Sequence, residues 1–202
     1  MRYRLYLLFT PELCRSEPFT TLRAALEGGV DLVQWRVKAR DRDGARRCLS
    51  ICGERSVPVI VNDDIDLAVE LDAFGAHVGQ DDLPAAEARR RLRPGQVLGV
   101  STHDLAQIDR AVTDGADHIG FGPVFPTATK GYAQGQPAGA LRAALARSVV
   151  PLWPIGGITP TNLPTVLAAG ACRVAVSSAI LCSSDPEGTA RKLRDALDPC
   201  GS

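Results

Sequence analysis

The sequence predicts an α/β protein, a single (β/α)₈ TIM barrel that spans residues 1–202. Short runs rich in apolar and β-branched residues alternate with amphipathic stretches along the whole chain, and this alternation is typical of parallel βα units rather than hairpins. Eight such units share 202 residues, about 25 residues each, which is near the lower limit for this fold. No charged linker or low-complexity segment interrupts the series, so we expect one domain.

The eight predicted strands recur at short intervals. They cover residues 4–10, 31–36, 58–62, 76–79, 97–101, 118–122, 152–156 and 173–177. Eight helices are predicted from the amphipathic segments FTTLRAALEGG, GARRCLSICGER, IDLAVELDAFG, PAAEARRRLRPG, DLAQIDRAVTDG, AGALRAALARS, TNLPTVLAAG and PEGTARKLRDAL. A Gly followed by the next strand recurs in GGVDLV, FGAHVG, DGADHIG and AGACRVAV, and each of these glycines predicts a left-handed helix cap.

An open, doubly wound sheet is the structural alternative. That fold places a GxGxxG motif directly after its first strand when it binds dinucleotides, and the sequence has none there. A flavodoxin-like sheet would also leave several of the eight strands unused. The barrel is therefore the preferred interpretation.

Charge and composition exclude several classes of function. The formal net charge is zero, so we expect no broad attraction to nucleic acid or to an anionic membrane. The apolar run near the N-terminal end is too short for a membrane span and lacks a small-residue cleavage site. The six cysteines form no CxxC pair, which predicts reduced thiols in a cytoplasmic protein, with Cys48 and Cys52 as small buried residues on one helix face.

Polar residues follow nearly every predicted strand, where a barrel of this type places its active site. They are Gln34, Arg36, Lys38, Asn62, Asp63, Asp64, Gln80, Asp81, Asp82, Ser101, Thr102, His103, Thr127, Thr129, Lys130, Gly156, Gly157, Ser177 and Ser178. Alternation along QWRVK points Gln34, Arg36 and Lys38 towards the barrel axis. Three inward polar groups favour a bound ligand, and the alternative is a salt-bridged plug with Asp63 or Asp82.

Two acidic clusters, NDD and QDD, follow neighbouring strands. One carboxylate from each could hold a Mg²⁺ ion that takes its other ligands from water and phosphate. In each pair we expect the other member to be structural, because Asp63 or Asp64 is placed to cap a helix beginning at Ile65, and Asp81 or Asp82 one beginning at Pro84.

The turns after the last two strands favour phosphate binding. Gly156 and Gly157 follow strand seven, and Ser177 and Ser178 follow strand eight, where such barrels commonly bind phosphate through backbone N–H groups. Among 23 basic residues only three are lysines, and two of these, Lys38 and Lys130, fall in polar clusters at the predicted mouth. A compact ammonium group suits contact with phosphate oxygens.

These segments together resemble one family, the thiamin phosphate synthases, over nearly the whole chain. The matching segments are QWRVK, VNDDIDLA, HVGQDD, GVSTH, GPVFPTATK, IGGI and VSSAI, in order. The resemblance implies a transferase of thiamin biosynthesis that joins 4-amino-2-methyl-5-hydroxymethylpyrimidine diphosphate to 4-methyl-5-(2-phosphoethyl)thiazole and releases pyrophosphate. It thus implies two phosphorylated small-molecule substrates, and the sequence leaves open whether the chain forms a homodimer.

Residue roles follow from the same resemblance. It places Gln34, Arg36, Lys38, Asn62, Ser101 and Lys130 around the pyrimidine diphosphate. Of these, Arg36, Lys38, Ser101 and Lys130 are the expected catalytic residues. It places Asp63 and Asp82 on Mg²⁺, and it places Thr127, Thr129, Gly157, Ser177 and Ser178 around the thiazole phosphate. Apart from the resemblance, the Gly and Gln content of residues 131–137 makes this loop a candidate lid, and the sequence leaves open whether it closes over substrate.

Trp35, Val37 and Ser177 differ from the residues that the family usually has at these positions, and we expect these changes to affect packing only.

Two rival functions remain. A related thiazole tautomerase would use a histidine where this chain has Pro123, with His103 and His118 as other candidate proton carriers. An isomerase, epimerase or non-catalytic phosphate-binding module on the same barrel is the second rival.

Overall fold

The computed structural model describes residues 3–127, 134–137 and 139–198. Its eight strands are all parallel and are ordered β7-β6-β5-β4-β3-β2-β1-β8, and a parallel bridge between Ile155 and Ala175 closes the sheet. The barrel prediction is confirmed. The strands are β1 (Leu5–Phe9), β2 (Leu32–Trp35), β3 (Val59–Asn62), β4 (Gly75–Val78), β5 (Val97–Thr102), β6 (His118–Phe121), β7 (Leu152–Pro154) and β8 (Val174–Val176).

Nine α-helices are found in the described residues, one more than predicted. They are α1 (Pro18–Glu27), α2 (Arg42–Gly53), α3 (Ile65–Glu70), α4 (Ala85–Arg91), α5 (Leu105–Thr113), α6 (Ala140–Arg147), α7 (Leu163–Ala168), α8 (Ser178–Leu181) and α9 (Pro186–Leu197). The additional helix, α8, is a single turn directly after β8, and it is too short to show amphipathic periodicity. A 3₁₀ turn at Pro11–Leu13 follows β1. No described helix has the length and apolar character of a transmembrane segment.

Three of the four predicted glycine caps are confirmed. Gly29, Gly115 and Gly170 have φ of 97°, 92° and 102°, in the left-handed region where Gly carries little steric cost. The prediction for Gly75 is wrong, because this residue lies inside β4. A Cβ at Gly75 would lie 2.0 Å from the carbonyl oxygen of Val97, so close strand packing explains this glycine.

The sheet separates two apolar layers. The outer layer lies between strands and helices, and it includes Trp35, Cys48 and Cys52, in agreement with their predicted burial. The inner layer fills the barrel below its mouth with Tyr6, Leu8, Leu32, Ile60, Trp153 and Ala175. Because strand side chains alternate between faces, Gln34 points inward with Leu32 while Trp35 points outward, as the sequence predicts.

A half-buried carboxylate, that of Asp31, anchors the lower end of β1. Asp31 accepts backbone hydrogen bonds from the amides of Arg4, at 2.9 Å, and Leu5, at 2.9 Å, and it pairs with Arg194 of α9. Asp117 repeats the arrangement beside β5, where it accepts from the amide of Leu98 at 2.7 Å. The acidic residue of the GVD and GAD repeats therefore ties one strand to its neighbour at the end of the barrel opposite the mouth.

Candidate active site

A cavity of about 80 Å³ opens at the carboxyl ends of the strands. Six of the predicted site residues line it together, and these are Arg36, Ser101, Thr127, Gly157, Ser177 and Ser178. They come from β5, from the loops after β2, β6 and β7, and from the start of α8. The structure thus joins the predicted diphosphate side and the predicted second phosphate side in one cavity, which we call the mouth cavity.

A smaller chamber of about 30 Å³ lies inside the barrel and shares Arg36 and Ser101 with the mouth cavity. Gln34 and Asn62 also line this chamber, so four predicted pyrimidine-site residues meet there. Gln34 is buried and donates from Nε2 to Tyr6 Oη at 2.7 Å. Burial raises the pKa of Tyr6, against the smaller lowering effect of the Gln34 hydrogen bond, and the phenol stays protonated at neutral pH.

Two histidines lie beside Ser101 inside the barrel. Nε2 of His77 and Oγ of Ser101 are 2.9 Å apart, and the rings of His77 and His118 have centroids 5.5 Å apart. Burial lowers the pKa of His118 to about 3, and the nearby Arg173 charge acts in the same direction. His118 is therefore a neutral packed residue, as expected for a histidine at a strand start, and it does not carry protons at the mouth at neutral pH.

An open cleft of about 360 Å³ lies beside the mouth, and Lys38, Asn62 and Asp63 line it. Its wall is fixed by Arg40, which binds both carboxylate oxygens of Asp64 at 2.9 and 2.8 Å and also Glu70 at 2.9 Å. This pairing joins the loop after β2 to the loop and helix after β3. Lys38 and Asn62 of the predicted diphosphate site therefore share one cleft with Asp63 of the predicted metal site.

Two of the predicted basic residues, Arg36 and Lys38, lie in the described part of the chain. Within the described part of the chain, neither Arg36 nor Lys38 forms a salt bridge with a carboxylate. The alternative of a salt-bridged plug is thus not observed in this part of the chain. Two cations that form no salt bridge with a described residue, beside a cavity, are typical of a site for an anionic ligand.

The structure distinguishes the two aspartates that follow β3. Asp64 is the N-cap of α3, and its carboxylate accepts from the amide of Leu67 at 2.8 Å. Asp63 has a φ of 60°, a left-handed conformation that is uncommon for residues other than Gly. Its amide donates to His77 O at 2.8 Å, and its carboxylate accepts from Asn62 Nδ2 at 2.5 Å. Asp64 is therefore structural, and Asp63 is held with its carboxylate exposed at the mouth.

The aspartates after β4 behave differently from the prediction. Helix α4 begins at Ala85 with Pro84 as its N-cap and no side-chain cap, so the expected cap from Asp81 or Asp82 is wrong. Asp82 instead accepts from the amide of Gly79 at 2.7 Å and closes its own loop. Asp82 lines a groove of about 230 Å³ with Gly79 and Gln80, and this groove shares no lining residue with the cleft of Asp63.

The second phosphate side begins with a glycine turn after β7. Gly156 and Gly157 have φ of 100° and 63°, and a Cβ at Gly157 would lie 2.5 Å from the carbonyl oxygen of Pro126. Asn162 fixes this turn by donating from Nδ2 to Gly157 O at 2.8 Å. Only glycine combines this backbone conformation with this close approach.

Ser177 and Ser178 form the start of α8. Oγ of Ser177 donates to Leu8 O at 3.0 Å, and its carbonyl accepts from the amides of Ile180 and Leu181 at 3.0 Å each. The two amides before these, in Ser178 and Ala179, have no partner within the helix. The single helical turn that the sequence pattern missed is thus the element that holds both predicted serines at the mouth cavity.

Three predicted features lie wholly or partly outside the described residues. Thr129 and Lys130 belong to residues 128–133, and the candidate lid at 131–137 is described only from Gln134 to Pro137. Within that short segment, Gln136 donates from Nε2 to His103 O at 2.9 Å. The neighbouring Thr127 and Pro123 both line the mouth cavity.

Sequence reasoning missed His77, Tyr6 and Arg40. Alternation places His77 on the same inner face as Asn62 of the neighbouring strand, so strand parity alone would have found this histidine. The bond from Gln34 to Tyr6 and the pairing of Arg40 with Asp64 join residues far apart in the chain, and no local pattern signals them.

Comparison with known proteins identifies relatives of the whole barrel. The family model described as thiamine monophosphate synthase (TMP-TENI) matches residues 5–180. A thiamine-phosphate synthase of Synechococcus sp. is 48% identical over 183 residues, which are 87% of this chain and 51% of that protein. The chain therefore spans about half the length of this relative. A thiamine-phosphate synthase of Bacillus licheniformis is 40% identical over 202 residues, which are 96% of this chain and 90% of that protein.

A solved structure agrees with these sequence relatives. The thiamine phosphate pyrophosphorylase from Pyrococcus furiosus superposes with a TM-score of 0.89 at 28% identity, covering 99% of this chain and 98% of that one. The match includes all eight strands and therefore confirms the barrel. From the family model, the sequence relatives and this structure together, we conclude that the chain belongs to the thiamine monophosphate synthase family.

Proposed function

We propose that this chain condenses 4-amino-2-methyl-5-hydroxymethylpyrimidine diphosphate with 4-methyl-5-(2-phosphoethyl)thiazole to give thiamin phosphate and pyrophosphate. The observation that carries the proposal is the mouth cavity, which joins Arg36 and Ser101 on one side to Gly157, Ser177 and Ser178 on the other. One group of residues could bind a diphosphate and the other a separate phosphate. A cavity that holds both groups is suited to two phosphorylated substrates. Family membership gives the identity of those substrates.

The proposed reaction is a dissociative substitution. The bond between the pyrimidine methylene carbon and the diphosphate oxygen breaks, and its electron pair leaves with pyrophosphate. The electron-rich aminopyrimidine stabilises the resulting cation, and the thiazole nitrogen then donates its lone pair to form the new carbon–nitrogen bond. No nucleophilic side chain is required, which fits a mouth cavity with no Ser–His–Asp arrangement among its described lining residues.

Charge stabilisation of the leaving group is the main catalytic task of the protein. Arg36 lines the mouth cavity and Lys38 the adjoining cleft, and both lack a described salt-bridge partner. We add Lys130 to these two cations because the family motif GPVFPTATK implies that it contacts the diphosphate. Ser101, whose hydroxyl is fixed by His77, borders both the chamber and the mouth, and we assign it with Gln34 and Asn62 to orientation of the pyrimidine ring.

We assign Asp63 and Asp82 to a Mg²⁺ ion. Their carboxylates are hard oxygen donors on neighbouring loops, and Mg²⁺ is typically held by one or two carboxylates together with substrate phosphates and water. The described residues contain no cluster of three or more His, Cys, Asp or Glu placed to hold a metal, so water and substrate phosphate would have to supply most of the ligands of the ion. An ion held by Asp63 and Asp82 would supply positive charge that offsets the charge developing on the diphosphate.

The thiazole phosphate is assigned to the opposite side of the mouth. Gly157, Ser177 and Ser178 supply a close backbone approach and the amides at the start of α8, and Thr127 lines the same cavity. We add Thr129 to the thiazole phosphate site because the same family motif implies that role. Because the reaction uses small phosphorylated molecules, we also propose a cytoplasmic location and no role for nucleic acid.

The tautomerase rival is disfavoured at one position. It would place a histidine where Pro123 lines the mouth cavity, and this proline follows a cis peptide bond from Gly122. A proline supplies no proton donor or acceptor on its side chain. Conversion of a thiazole isomer without any pyrimidine diphosphate present would contradict this choice.

The proposal is tested by mixing both substrates with purified protein, with and without Mg²⁺, and measuring thiamin phosphate. We expect product only with Mg²⁺, and no product under either condition would refute the proposed function.

Asp82→Ala and Lys130→Ala are each expected to reduce turnover by about 100-fold or more while the circular dichroism spectrum is unchanged. The matched controls are Asp72→Ala and Lys192→Ala on the exposed surface, and both should keep nearly full activity.

A further inference from the structure

Two cysteines from opposite ends of the chain lie next to each other beside α8. Cys14 follows the 3₁₀ turn at Pro11–Leu13, and Cys182 follows α8. Both are free thiols, and Cys14 is half-buried whereas Cys182 is exposed. Neither lines the mouth cavity, the chamber or the cleft of Lys38, so the proposed function gives the pair no role.

Two hydrogen bonds hold the segments of these cysteines together. The amide of Arg15 donates to Leu181 O at 2.9 Å, so the residue after Cys14 is bonded to the residue before Cys182. The thiol of Cys182 donates to Leu13 O at 3.3 Å, on the other side of Cys14. Since the Leu13 carbonyl belongs to the peptide group that precedes Cys14, Cys182 Sγ lies within about 6 Å of Cys14 Cα.

This arrangement suits the geometry of a disulfide. The two Cα atoms of a disulfide are about 4.4 to 6.8 Å apart, and neighbouring backbones joined by hydrogen bonds lie about 5 Å apart. Burial raises the pKa of the Cys14 thiol to about 11, against the smaller lowering effect of a Thr21 hydrogen bond, and the charge of Cys182 adds to the increase. The two thiols are therefore close enough to interact electrostatically before any bond forms.

We propose that Cys14 and Cys182 form a reversible disulfide when the protein meets a disulfide oxidant such as oxidised glutathione. The exposed Cys182 reacts first: its thiolate attacks one sulfur of the oxidant, the sulfur–sulfur bond of the oxidant breaks, and one thiolate leaves. The Cys14 thiolate then attacks Cys182 Sγ and displaces the second thiolate. The protein loses two electrons and two thiol protons, and the oxidant takes them up to give two thiol molecules. In a reducing compartment, such a disulfide is transient and senses oxidant.

The disulfide acts on the thiazole phosphate side through α8, and this effect rests on the proposed function. The amide of Cys182 donates to Ser178 O at 2.9 Å. Helix α8 is a single turn, so a displacement of Cys182 towards Cys14 reaches Ser178 through one hydrogen bond. The amides at the start of α8 then leave the position that they have in the reduced protein. The oxidised protein therefore binds the thiazole phosphate more weakly than the reduced protein does.

The disulfide is tested by a peptide map of the oxidised wild-type protein. Purified protein is incubated with oxidised glutathione, its remaining thiols are blocked with N-ethylmaleimide, and it is digested with trypsin. Cleavage after Arg places Cys14 in a peptide of residues 5–15 and Cys182 in a peptide of residues 174–191, each with a single cysteine. We expect these two peptides to be joined, and we expect dithiothreitol to separate them. A map without the joined peptides would overturn the proposal.

Variants show whether the bond is specific and lies within one molecule. Cys172→Ser is the matched control, because Cys172 is also half-buried, and it should give the same joined peptides. Cys14→Ser should leave Cys182 as a mixed disulfide with glutathione. A non-reducing gel should show the joined peptides in the monomer band. Joined peptides that come only from a dimer band, or a bond from Cys14 to Cys172 instead, would also overturn the proposal.

The effect on binding has its own measurement. We expect oxidation to raise the KM for the thiazole phosphate about fivefold, to leave the KM for the pyrimidine diphosphate unchanged, and to be reversed by dithiothreitol. Cys182→Ser keeps a donor for Leu13 O and should show the same KM values with and without oxidant. If the disulfide forms and both KM values stay the same, the effect on the phosphate side is wrong. If wild-type protein forms no thiamin phosphate, the proposed function fails, and the peptide map still decides whether the disulfide forms.

Discussion

Acid should destabilise this protein through one buried histidine. His118 has a pKa of about 3 in the folded protein because burial disfavours its charged form, whereas an unfolded histidine has a pKa of about 6.5. Below pH 6.5 the unfolded chain therefore binds a proton that the native chain does not bind. Native stability is consequently unaffected by this group above pH 6.5 and falls as the pH drops from 6.5 towards 3.

The size of the effect follows from the two pKa values. Each pH unit in this window is worth about 1.4 kcal/mol, so lowering the pH from 7.5 to 4.5 should cost about 2.7 kcal/mol of unfolding free energy through His118 alone. Other groups add to the total loss, and a variant without the histidine is needed to isolate this part.

The assay is urea unfolding at pH 7.5 and pH 4.5, followed by tryptophan fluorescence. His118→Phe should lose about 2.7 kcal/mol less than the wild type between the two pH values. Ile119→Val is the matched control on β6, because it perturbs a buried neighbour but keeps His118, and its acid loss should equal that of the wild type. The reasoning is refuted if His118→Phe and the wild type lose the same free energy on acidification.

Two further substitutions test other parts of the structure. Asp31→Ala removes the acceptor of the Arg4 and Leu5 amides and should lower the unfolding free energy by about 2 to 3 kcal/mol, measured by urea unfolding; a loss below about 0.5 kcal/mol, typical of exposed sites, would contradict the anchor. Gly157→Ala places a Cβ 2.5 Å from Pro126 O at a φ of 63°, and steady-state kinetics should show at least about a tenfold rise in KM for the thiazole phosphate. An unchanged KM would mean that this turn does not bind the phosphate.

Most of the fold could be predicted from the sequence because hydrophobic periodicity directly reflects which face of each element is buried. All eight strands were recognised in this way, within two residues at each end, and the alternation of β2 correctly placed Gln34 inside and Trp35 outside. The one-turn helix α8 could not be predicted, since four residues do not complete a periodic pattern. Gly75 was misassigned because a glycine needed for close strand packing looks the same in sequence as a glycine cap.

The site was predictable in position but not in its internal contacts. Arg36, Ser101 and Gly157 lie at the carboxyl ends of different strands and line one cavity. This was predictable because parallel strands in a barrel all point in the same direction, so their carboxyl ends meet at one face. The choice between Asp63 and Asp64 needed the structure, because either residue could cap α3. The polar chamber could not be predicted, since it depends on residues from β1, β2, β6 and β7 that meet only when the barrel closes.

The most direct test of the central claim is a ³¹P NMR time course with both substrates, Mg²⁺ and purified protein. The proposed mechanism requires pyrophosphate and thiamin phosphate to appear in equal amounts in the complete mixture, and it requires that no thiamin phosphate forms when the thiazole phosphate is replaced by inorganic phosphate. Equal release in the complete mixture, abolished by EDTA, is the expected result. Pyrophosphate release without thiamin phosphate, or no change in the spectrum, would contradict the claim that this barrel joins two phosphorylated substrates in one cavity.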